Sequence, residues 1–423
     1  FKKNEDGSVT VFIGNRLNVY TTTVGGETDY SVEFKNMYAY DENDELHSIE
    51  GGYINIPQPY KTRDKEDNLV ISAQLFEDYP SFFTEKDGKL YTTEYSLKQK
   101  TIQPQAAMTI IDNETGQIKA MIGGRNTSGR MLFNRATAPQ QPGSSIKPIA
   151  VYAAGLQKSF ELEEAGKSFN FVNNGFDKQG DKGWGNYLTT ASIVDDEPTR
   201  INGKQWPTNS YNGYYGLYTF RTALQESVNV CAVKILSQVG VEYAAEVVEN
   251  FGITTLNDSD LNLAALGLGG MTEGVSTLEM ASAYSTFVNN GIHKDYSVYT
   301  KVTTRNGDLL LEPKVEETEV LDPGVAWIMT DVLRTVVSEG IAYPAAISGV
   351  SVGGKTGTTD DQFDIWFCGF TPTYSAALWI GNDINISLSS MSGSAASLWG
   401  EIMSQVNGAY GGSYPSAPSN VVS

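Results

Sequence analysis

Three short segments rich in hydroxyl and amine side chains stand far apart in this chain and must meet in space if they act together. They are Ser144-Ser145-Ile146-Lys147, Ser227-Val228-Asn229 and Lys355-Thr356-Gly357-Thr358. Their separations are 83 residues (227 − 144) and 128 residues (355 − 227), which leave room for a block of helices and a return to a sheet. Each segment alone is common by chance, so their order is the informative feature. Together they supply the parts of a serine acyl-transfer site without histidine.

The composition is that of a folded protein with a strong excess of acidic residues. The 423 residues carry a formal net charge of −20, so we expect neither nucleic acid nor anionic lipid as a direct partner. No stretch of about 20 apolar residues occurs that would span a bilayer. The chain opens at Phe1 without a signal peptide, which is typical of a processed or excised fragment. The two cysteines, Cys231 and Cys368, lie in apolar stretches, which indicates buried thiols.

The character of the sequence changes near residue 104 and again near residue 411. Residues 1–103 are acidic, tyrosine-rich and strand-like, which predicts a small β-rich domain whose role the sequence does not reveal. Residues 104–410 mix strand and helix patterns and contain all three polar segments. Residues 411–423 are rich in Gly, Ser and Pro, which is typical of a linker or a disordered end.

Residues 104–410 are predicted to form an α+β fold in which helices pack on a mostly antiparallel sheet of about five strands. A hairpin is expected over residues 106–122, with its turn at Asp112–Gly116. Short apolar runs predict further strands over residues 349–358, 364–370 and 374–381. Capping residues, prolines and glycines predict helices over residues 144–158, 219–239, 241–251, 276–291, 322–340 and 395–405.

Lys147 is the natural base for Ser144, because a serine hydroxyl is too weakly acidic to attack an amide unaided. The chain contains only two histidines, His47 and His293, and neither lies near a polar segment in the sequence. At position i+3 of a helix, Lys147 shares the face of Ser144. Its amine must be neutral to accept a proton, and we expect both burial and the nearby cation of Lys355 to lower its pKa.

The same segments predict donors for a developing oxyanion. The backbone N–H of Ser144 lies at a helix start, where the helix dipole favours negative charge. Strand 355–358 is the expected source of a second N–H, because Gly357 allows close approach of its backbone. The open edge of this strand is also suited to pairing with an extended peptide.

The remaining polar groups predict how a substrate is held. Lys355, Thr356 and Thr358 combine a point charge with two hydroxyl donors, which suits a carboxylate. Ser227 is suited to relaying a proton and Asn229 to binding a peptide amide. No cluster of His, Cys or Asp has the spacing of metal ligands, so neither a metal nor a cofactor is predicted.

Over about residues 104–410 the sequence resembles the transpeptidase domain of class A (bifunctional) penicillin-binding proteins. The segments that carry the resemblance are Ala120–Arg125, Phe133–Ala136, Gln141–Pro148, Thr219–Asn229, Leu268–Gly269, Gly274–Ala281 with Ala283–Tyr284, Lys355–Thr359 and Asp364–Pro372. Gln140 and Cys231 depart from the family, which more often has arginine and proline there. No glycosyltransferase motif is present in residues 1–103.

The resemblance implies a role for each polar residue. Ser144 is implied to be the acylated serine and Lys147 its base. Ser227 and Asn229 are implied to line the cleft. The residues implied to bind the substrate carboxylate are Lys355, Thr356 and Thr358. The implied oxyanion hole consists of the backbone N–H groups of Ser144 and Thr358, with Gly357 between the substrate-binding threonines.

The implied activity is attack on the D-Ala-D-Ala bond of a peptidoglycan stem peptide, release of D-alanine and transfer of the acyl group to an amine of a neighbouring strand. β-Lactams would acylate the same serine and stall. The implied location is the outer face of the bacterial cytoplasmic membrane, with a membrane anchor outside this sequence and with cell-wall assembly proteins as partners.

Two other functions are compatible with these motifs. A D,D-carboxypeptidase or a serine β-lactamase would pass the acyl group to water rather than to an amine. Val228 stands where many β-lactamases have an acidic residue, and no glutamate can be assigned as a deacylating base. A non-catalytic β-lactam sensor or wall-assembly scaffold would keep the fold, although every motif residue is intact here.

Overall fold

The computed structural model describes residues 1–14, 16–24, 26–35, 37–40, 46–49, 51–97, 104–125, 133–170, 185–406, 408 and 411–422. The chain divides into two compact units, Phe1–Ile102 and Gln103–Ser423. All three polar segments lie in the second unit, so the site they form is built within a single unit.

The first unit is rich in β-structure, as the sequence predicts. Its strands β1 to β12 are Lys2–Lys3, Val9–Val11, Leu17–Val24, Glu27–Phe34, Met37–Tyr40, Leu46–Ile49, Gly52–Ile54, Lys61–Arg63, Leu69–Ile71, Thr84–Lys86, Lys89–Tyr91 and Tyr95–Leu97. A short helix, α1, spans Ala73–Asp78. Two four-stranded antiparallel sheets have the orders β1-β2-β9-β8 and β12-β7-β4-β3. A small apolar core that includes Val9, Val32 and Leu69 stabilises the unit.

The second unit alternates strands and helices. Its strands β13 to β25 are Gln105–Asp112, Ile118–Ile122, Ile193–Asp196, Arg200–Ile201, Lys204–Gln205, Gly216–Thr219, Ile292–Lys294, Val302–Thr303, Leu309–Leu311, Glu317–Glu319, Gly353–Thr358, Asp364–Phe370 and Tyr374–Gly381. Its α-helices α2 to α9 are Ala154–Glu164, Phe220–Gln225, Asn229–Val239, Val241–Asn250, Leu263–Leu268, Thr277–Val288, Pro323–Ser338 and Ser392–Ser404.

A five-stranded antiparallel sheet with the order β14-β13-β25-β24-β23 organises this unit and confirms the predicted α+β fold. Every residue of β24 is buried, so both faces of the sheet are covered. Helix α7 packs against β13, β24 and β25, and helix α9 packs against β23 and β24. Strand β23, which carries the third polar segment, lies at the end of the sheet order and leaves one edge unpaired with other strands.

Helix α7 is the central helix of the unit, since all of its residues are buried. The predicted capping box is present at its start. The Ser276 side chain accepts from the backbone N–H of Glu279, and Glu279 Oε2 accepts from the N–H of Ser276 at 2.9 Å. These reciprocal bonds satisfy N–H groups that would otherwise be unpaired inside the protein.

The helix predicted from Ser144 begins where expected but is not α-helical at first. Gly143–Ile146 forms a 3₁₀ turn and Pro148–Ala153 a π-helical stretch, and only then does α2 begin. Pro148 has no N–H to donate, and Ser144 O instead accepts from the N–H of Lys147, three residues on. Lys147 takes helical dihedrals (φ −51°, ψ −45°) despite the proline that follows it.

Two sequence predictions are wrong in detail. The single helix expected over residues 219–239 is broken into α3 and α4, because Ser227 adopts a left-handed conformation (φ 57°) between them. Residues 411–422 form no helix or strand, yet they pack on the second unit rather than forming a free end. Trp327 Nε1 donates to Pro415 O at 3.1 Å, and Phe370 makes an edge contact with the Tyr414 ring.

No helix in the described part of the chain has both the length and the apolar character needed to cross a bilayer.

Candidate active site

The turn that carries Ser144 lies directly against strand β23. Gly143 has a φ of 51°, and a Cβ added there would lie 2.3 Å from Thr358 O. A Cβ added at Gly357 would lie 2.3 Å from Pro142 O. Both distances are far below van der Waals contact, so the two backbones approach this closely only because both residues are glycines. The Ser144 N–H and the Thr358 N–H, the two predicted oxyanion donors, therefore belong to adjacent backbone segments.

Three hydrogen bonds hold in place the turn of residues 141–147, which carries the predicted nucleophile Ser144 and is called the nucleophile turn. Tyr284 Oη on α7 donates to Ser145 O at 2.7 Å, and Trp366 Nε1 on β24 donates to Gln141 O at 2.8 Å. Ser145 Oγ donates to Pro142 O at 2.8 Å within the turn. Because Tyr284 and Trp366 are fully buried in the core, the turn is fixed to the rigid part of the unit.

Ser144 itself is accessible. It is half-buried, whereas its neighbour Ser145 is fully buried. Within the described part of the chain, the Ser144 hydroxyl makes no hydrogen bond. The 3₁₀ geometry of the turn aligns side chains three residues apart, which places those of Ser144 and Lys147 on the same face. Ser144 is thus the hydroxyl of this turn that a ligand can reach.

Lys147 is fully buried and is surrounded by acceptors from the second polar segment. Its Nζ donates to Ser227 O at 2.8 Å and to Asn229 Oδ1 at 2.6 Å, and lies 3.4 Å from Ser227 Oγ. Burial lowers the pKa of Lys147 well below its usual value, the charge of Lys355 lowers it further, and the thiol of Cys231 opposes these effects. A neutral amine keeps two donors for Ser227 O and Asn229 Oδ1 and gains a lone pair that accepts a proton.

Ser227 connects the two buried lysines. Its Oγ accepts from Lys355 Nζ at 2.9 Å and also lies within reach of Lys147 Nζ. The left-handed backbone of Ser227 is uncommon for a residue other than glycine, and such strain is frequently found at functional sites. The break between α3 and α4 therefore presents the Ser227 hydroxyl to both amines.

Lys355 is fully buried on β23 and completes the cluster. Besides Ser227, its Nζ contacts Thr356 O at 3.2 Å and Thr356 Oγ1 at 3.4 Å. Burial lowers the pKa of Lys355 to about 7, although the negative charge of Glu226 acts in the opposite direction. Lys355 can therefore change its protonation state near neutral pH. An anionic ligand beside it would favour the charged form.

The structure brings the predicted residues of all three segments into one place. Lys147, Ser227, Asn229, Lys355 and Thr356 form a continuous hydrogen-bonded cluster. Ser144 and Thr358 join it through the close contact between the nucleophile turn and β23, and both are half-buried. This arrangement has a reachable hydroxyl, a buried amine of lowered pKa, a bridging hydroxyl and a second amine, a set of groups suited to acyl transfer.

Some supporting residues were not assigned a role from the sequence. Tyr284 and Trp366 stand in segments that carry the family resemblance, but their hydrogen bonds to the nucleophile turn join residues 139 and 225 positions apart. A contact between residues so far apart in the chain leaves no local pattern in the sequence. His293, by contrast, contacts Thr286 and Asp295. Among the described contacts, none joins His293 to a residue of the three polar segments. Cys231 and Cys368 are free thiols and are buried, as predicted.

Comparison with known proteins agrees with this geometry. Residues 183–403 match the model of the penicillin binding protein transpeptidase domain, so the match includes the second and third polar segments and begins after Ser144. The chain belongs to this family. The resemblance to the transpeptidase domain of class A penicillin-binding proteins is thereby confirmed.

Individual relatives cover most of this chain. Penicillin-binding protein 1A of Clostridium botulinum is 34% identical over 381 residues, which is 88% of this chain and 41% of the relative. The crystal structure of penicillin-binding protein 1A from Haemophilus influenzae has a TM-score of 0.59 at 20% identity, covering 95% of this chain and 57% of that one. PonA1 from Mycobacterium tuberculosis, in complex with penicillin V, has a TM-score of 0.56 at 22% identity, covering 75% and 82%. The chain spans about two fifths of the length of the curated relatives it matches.

Proposed function

We propose that this chain is a serine D,D-transpeptidase of peptidoglycan. The observation that carries the proposal is the pair of buried amines, Lys147 and Lys355, joined through the Ser227 hydroxyl beside a reachable serine. Burial lowers the pKa of both amines, which suits Lys147 to accept a proton. Lys355, whose pKa is about 7, is suited to bind an anion because the anion favours its charged form. Together they provide a base and an anion-binding group for acyl transfer without histidine.

In the proposed acylation step, Ser144 Oγ gives its proton to the neutral amine of Lys147 and bonds to the carbonyl carbon of the D-Ala-D-Ala amide. The developing oxyanion accepts hydrogen bonds from the N–H groups of Ser144 and Thr358. The C–N bond then breaks, and the leaving D-alanine nitrogen takes up the proton through Ser227. The products are an ester on Ser144 and free D-alanine.

In the proposed transfer step, an amine of a neighbouring strand attacks the ester and loses its proton to Lys147. The C–O bond to Ser144 breaks and the serine regains a proton, so the enzyme returns to its starting state. The unpaired edge of β23 is suited to hold the donor peptide in an extended conformation. Before acylation, Lys355, Thr356 and Thr358 are proposed to bind the terminal carboxylate of this peptide, and Asn229 its amide.

The relatives support the wider setting of this proposal. Peptidoglycan stem peptides are the proposed substrate, β-lactams the proposed covalent inhibitors and cell-wall assembly proteins the proposed partners. The proposed location is the outer face of the bacterial cytoplasmic membrane. A β-lactam fits because its strained amide and its carboxylate resemble those of the D-Ala-D-Ala terminus.

Mass spectrometry after treatment with benzylpenicillin tests the proposal. We expect one penicilloyl adduct per chain, located by fragmentation on Ser144. Ser144→Ala should abolish the adduct, whereas Ser145→Ala should keep it, because the Ser145 hydroxyl is fully buried. An adduct on another residue, or a Ser144→Ala variant that is still labelled, would show that the assigned nucleophile is wrong.

The acceptor is tested separately, with a D-Ala-D-Ala stem peptide and an excess of a D-amino acid as amine. A transpeptidase yields the exchanged peptide as the main product. If hydrolysed peptide dominates even at high amine concentration, the chain is a carboxypeptidase. Rapid turnover of benzylpenicillin would identify it as a β-lactamase.

A further inference from the structure

Helix α4, which begins at Asn229, has no capping residue of its own. The residue before it is Val228, whose side chain cannot accept a hydrogen bond. The missing acceptor comes from the loop between β17 and β18. Asn209 Oδ1 accepts from the backbone N–H of Asn229 at 3.0 Å and from that of Val230 at 3.3 Å. Asn209 therefore caps α4 from a distance of 20 residues along the chain.

The same loop also orients the Asn229 side chain. Asn229 Nδ2 donates to Thr208 O at 2.8 Å, and its Oδ1 accepts from Lys147 Nζ at 2.6 Å. Thr208 and Asn209 together hold the backbone and the side chain of Asn229. Because the Thr208 bond fixes which end of the amide faces the lysine, the oxygen rather than the nitrogen points at Lys147.

A buried carboxylate holds this loop in turn. Asp196, at the end of β15, is 1% exposed. Its Oδ1 accepts from Asn209 Nδ2 at 2.8 Å, and its Oδ2 accepts from Tyr211 Oη at 2.7 Å and from the N–H of Tyr215 at 2.9 Å. Every polar atom of the Asp196 and Asn209 side chains thus has a partner. A fully satisfied buried network of this kind fixes a single arrangement.

We propose that Asn209, oriented by Asp196, is a positioning residue for the second motif: it sets the turn at Ser227 and the amide of Asn229 against Lys147. Asn209 touches neither the substrate nor the reacting atoms. Its effect passes through Asn229 and the start of α4. This inference rests on the proposed function, since it assigns Lys147 as the base that Asn229 orients.

Loss of the Asn209 side chain would leave two N–H groups at the start of α4 without partners. The left-handed turn at Ser227 immediately precedes these groups. It would keep its own hydrogen bonds to α3, but its position relative to the start of α4 and to Lys147 would no longer be fixed. Lys147 and Lys355 share the Ser227 hydroxyl, and a displacement of about 1 Å there lowers reaction rates by about a hundredfold. None of the described contacts joins Asn209 to the proposed carboxylate site at β23, so binding should weaken much less than acylation, even though Asn229 contributes to holding the ligand. The expected signature is a large fall in the acylation rate with a small change in binding affinity.

The test measures the acylation rate constant and the prior dissociation constant for benzylpenicillin by stopped flow, with the melting temperature alongside. For Asn209→Ala we expect the rate constant to fall about a hundredfold while the dissociation constant stays within about twofold. Asp196→Asn should lower the rate constant about tenfold, because an amide cannot accept all three of its hydrogen bonds.

A double exchange provides the rescue. In the Asp196→Asn, Asn209→Asp variant, the new amide donates to the new carboxylate and still accepts from Tyr211 and Tyr215. The carboxylate still accepts from both N–H groups of α4. The exchange therefore keeps every hydrogen bond and should restore the acylation rate to within about fivefold of wild type. Asn209→Asp alone places two carboxylates side by side, and their repulsion should keep the acylation rate constant low.

Asp322→Ala is the matched control. Asp322 caps α8 by accepting from the N–H of Gly324 at 2.7 Å, and none of its described contacts involves a motif residue. It should lower the melting temperature as Asn209→Ala does but leave the acylation rate unchanged. Wild-type rates in Asn209→Ala, or a double exchange as slow as Asn209→Ala, would overturn the inference while leaving the proposed function intact. A wild-type chain that benzylpenicillin does not acylate would overturn both.

Discussion

At the residue scale, the proposed chemistry depends on the protonation states of two buried amines that share one hydroxyl. Lys355 Nζ lies 2.9 Å and Lys147 Nζ 3.4 Å from Ser227 Oγ. Desolvation disfavours the charged form of each, and the charge of Lys355 further disfavours a charge on Lys147. A neutral Lys147 beside a cationic Lys355 is the protonation state that the chemistry requires.

Removal of the base is the direct residue-scale prediction. Lys147→Ala should lower the rate of acylation by benzylpenicillin about a hundredfold to ten-thousandfold, the usual range for loss of a general base. The matched control is Lys158→Ala, since Lys158 follows on the same helical segment but bonds to Val239 O away from the motifs. If benzylpenicillin acylates Lys147→Ala at the same rate as Lys158→Ala, another group is the base.

Lys355 also predicts how stability changes with pH. Its pKa is about 7 in the folded chain and about 10.4 when unfolded, so between these values only the unfolded chain binds the proton. The free energy of unfolding contributed by this group therefore rises with pH across that window and is constant above it. Urea unfolding at several pH values should give a steeper rise for wild type than for Lys355→Met. Equal slopes would contradict the low pKa.

At the element scale, the site depends on the contact between the nucleophile turn and β23. Gly357→Ala would place a Cβ 2.3 Å from Pro142 O and push the two backbones apart. We expect acylation to fall about a hundredfold and the free energy of unfolding to fall by about 1–3 kcal/mol. Gly393→Ala is the control, because a Cβ there would meet nothing closer than 3.9 Å. Stopped-flow acylation and urea unfolding measure both effects.

The same contact shows what a sequence can and cannot predict. Strands β24 and β25 have the predicted bounds, since turn residues mark both ends of each apolar run. The break between α3 and α4 was missed because the apolar spacing continues across it. At the left-handed turn, the N–H groups of Ser227 and Val228 donate to Leu224 O and Ala223 O and so end α3. Because a serine rather than the usual glycine stands at the left-handed position, the local sequence gives no signal of this helix end.

The residues of the candidate site are easier to predict from the sequence than the residues that hold them in place. The three segments carry their own chemistry, so the residue types and their order indicated Ser144, Lys147 and Lys355 without coordinates. Asp196 ends strand β15 and Asn209 stands in a loop; both are ordinary polar residues, and only their distances reveal a network. Asp and Asn are common at surface positions, so such supporting residues cannot be distinguished in the sequence.

At the scale of the whole molecule, the chain is two compact units with separate apolar cores. Every motif residue lies in the second unit. A fragment spanning residues 103–423 should therefore fold cooperatively and be acylated by benzylpenicillin at the rate of the full chain. Circular dichroism and stopped-flow labelling of the purified fragment test this. An unfolded or unreactive fragment would show that the first unit is needed to form the site.

The decisive measurement is the pH dependence of Ser144 acylation by benzylpenicillin, from about pH 5 to about pH 10. The rate should rise as the amine of Lys147 loses its proton, at a pH well below the usual lysine value of about 10.4. In Lys147→Ala this rise should be absent. A wild-type rate that climbs steadily up to about pH 10, or a rise that survives in Lys147→Ala, would contradict the claim that a neutral lysine activates the serine.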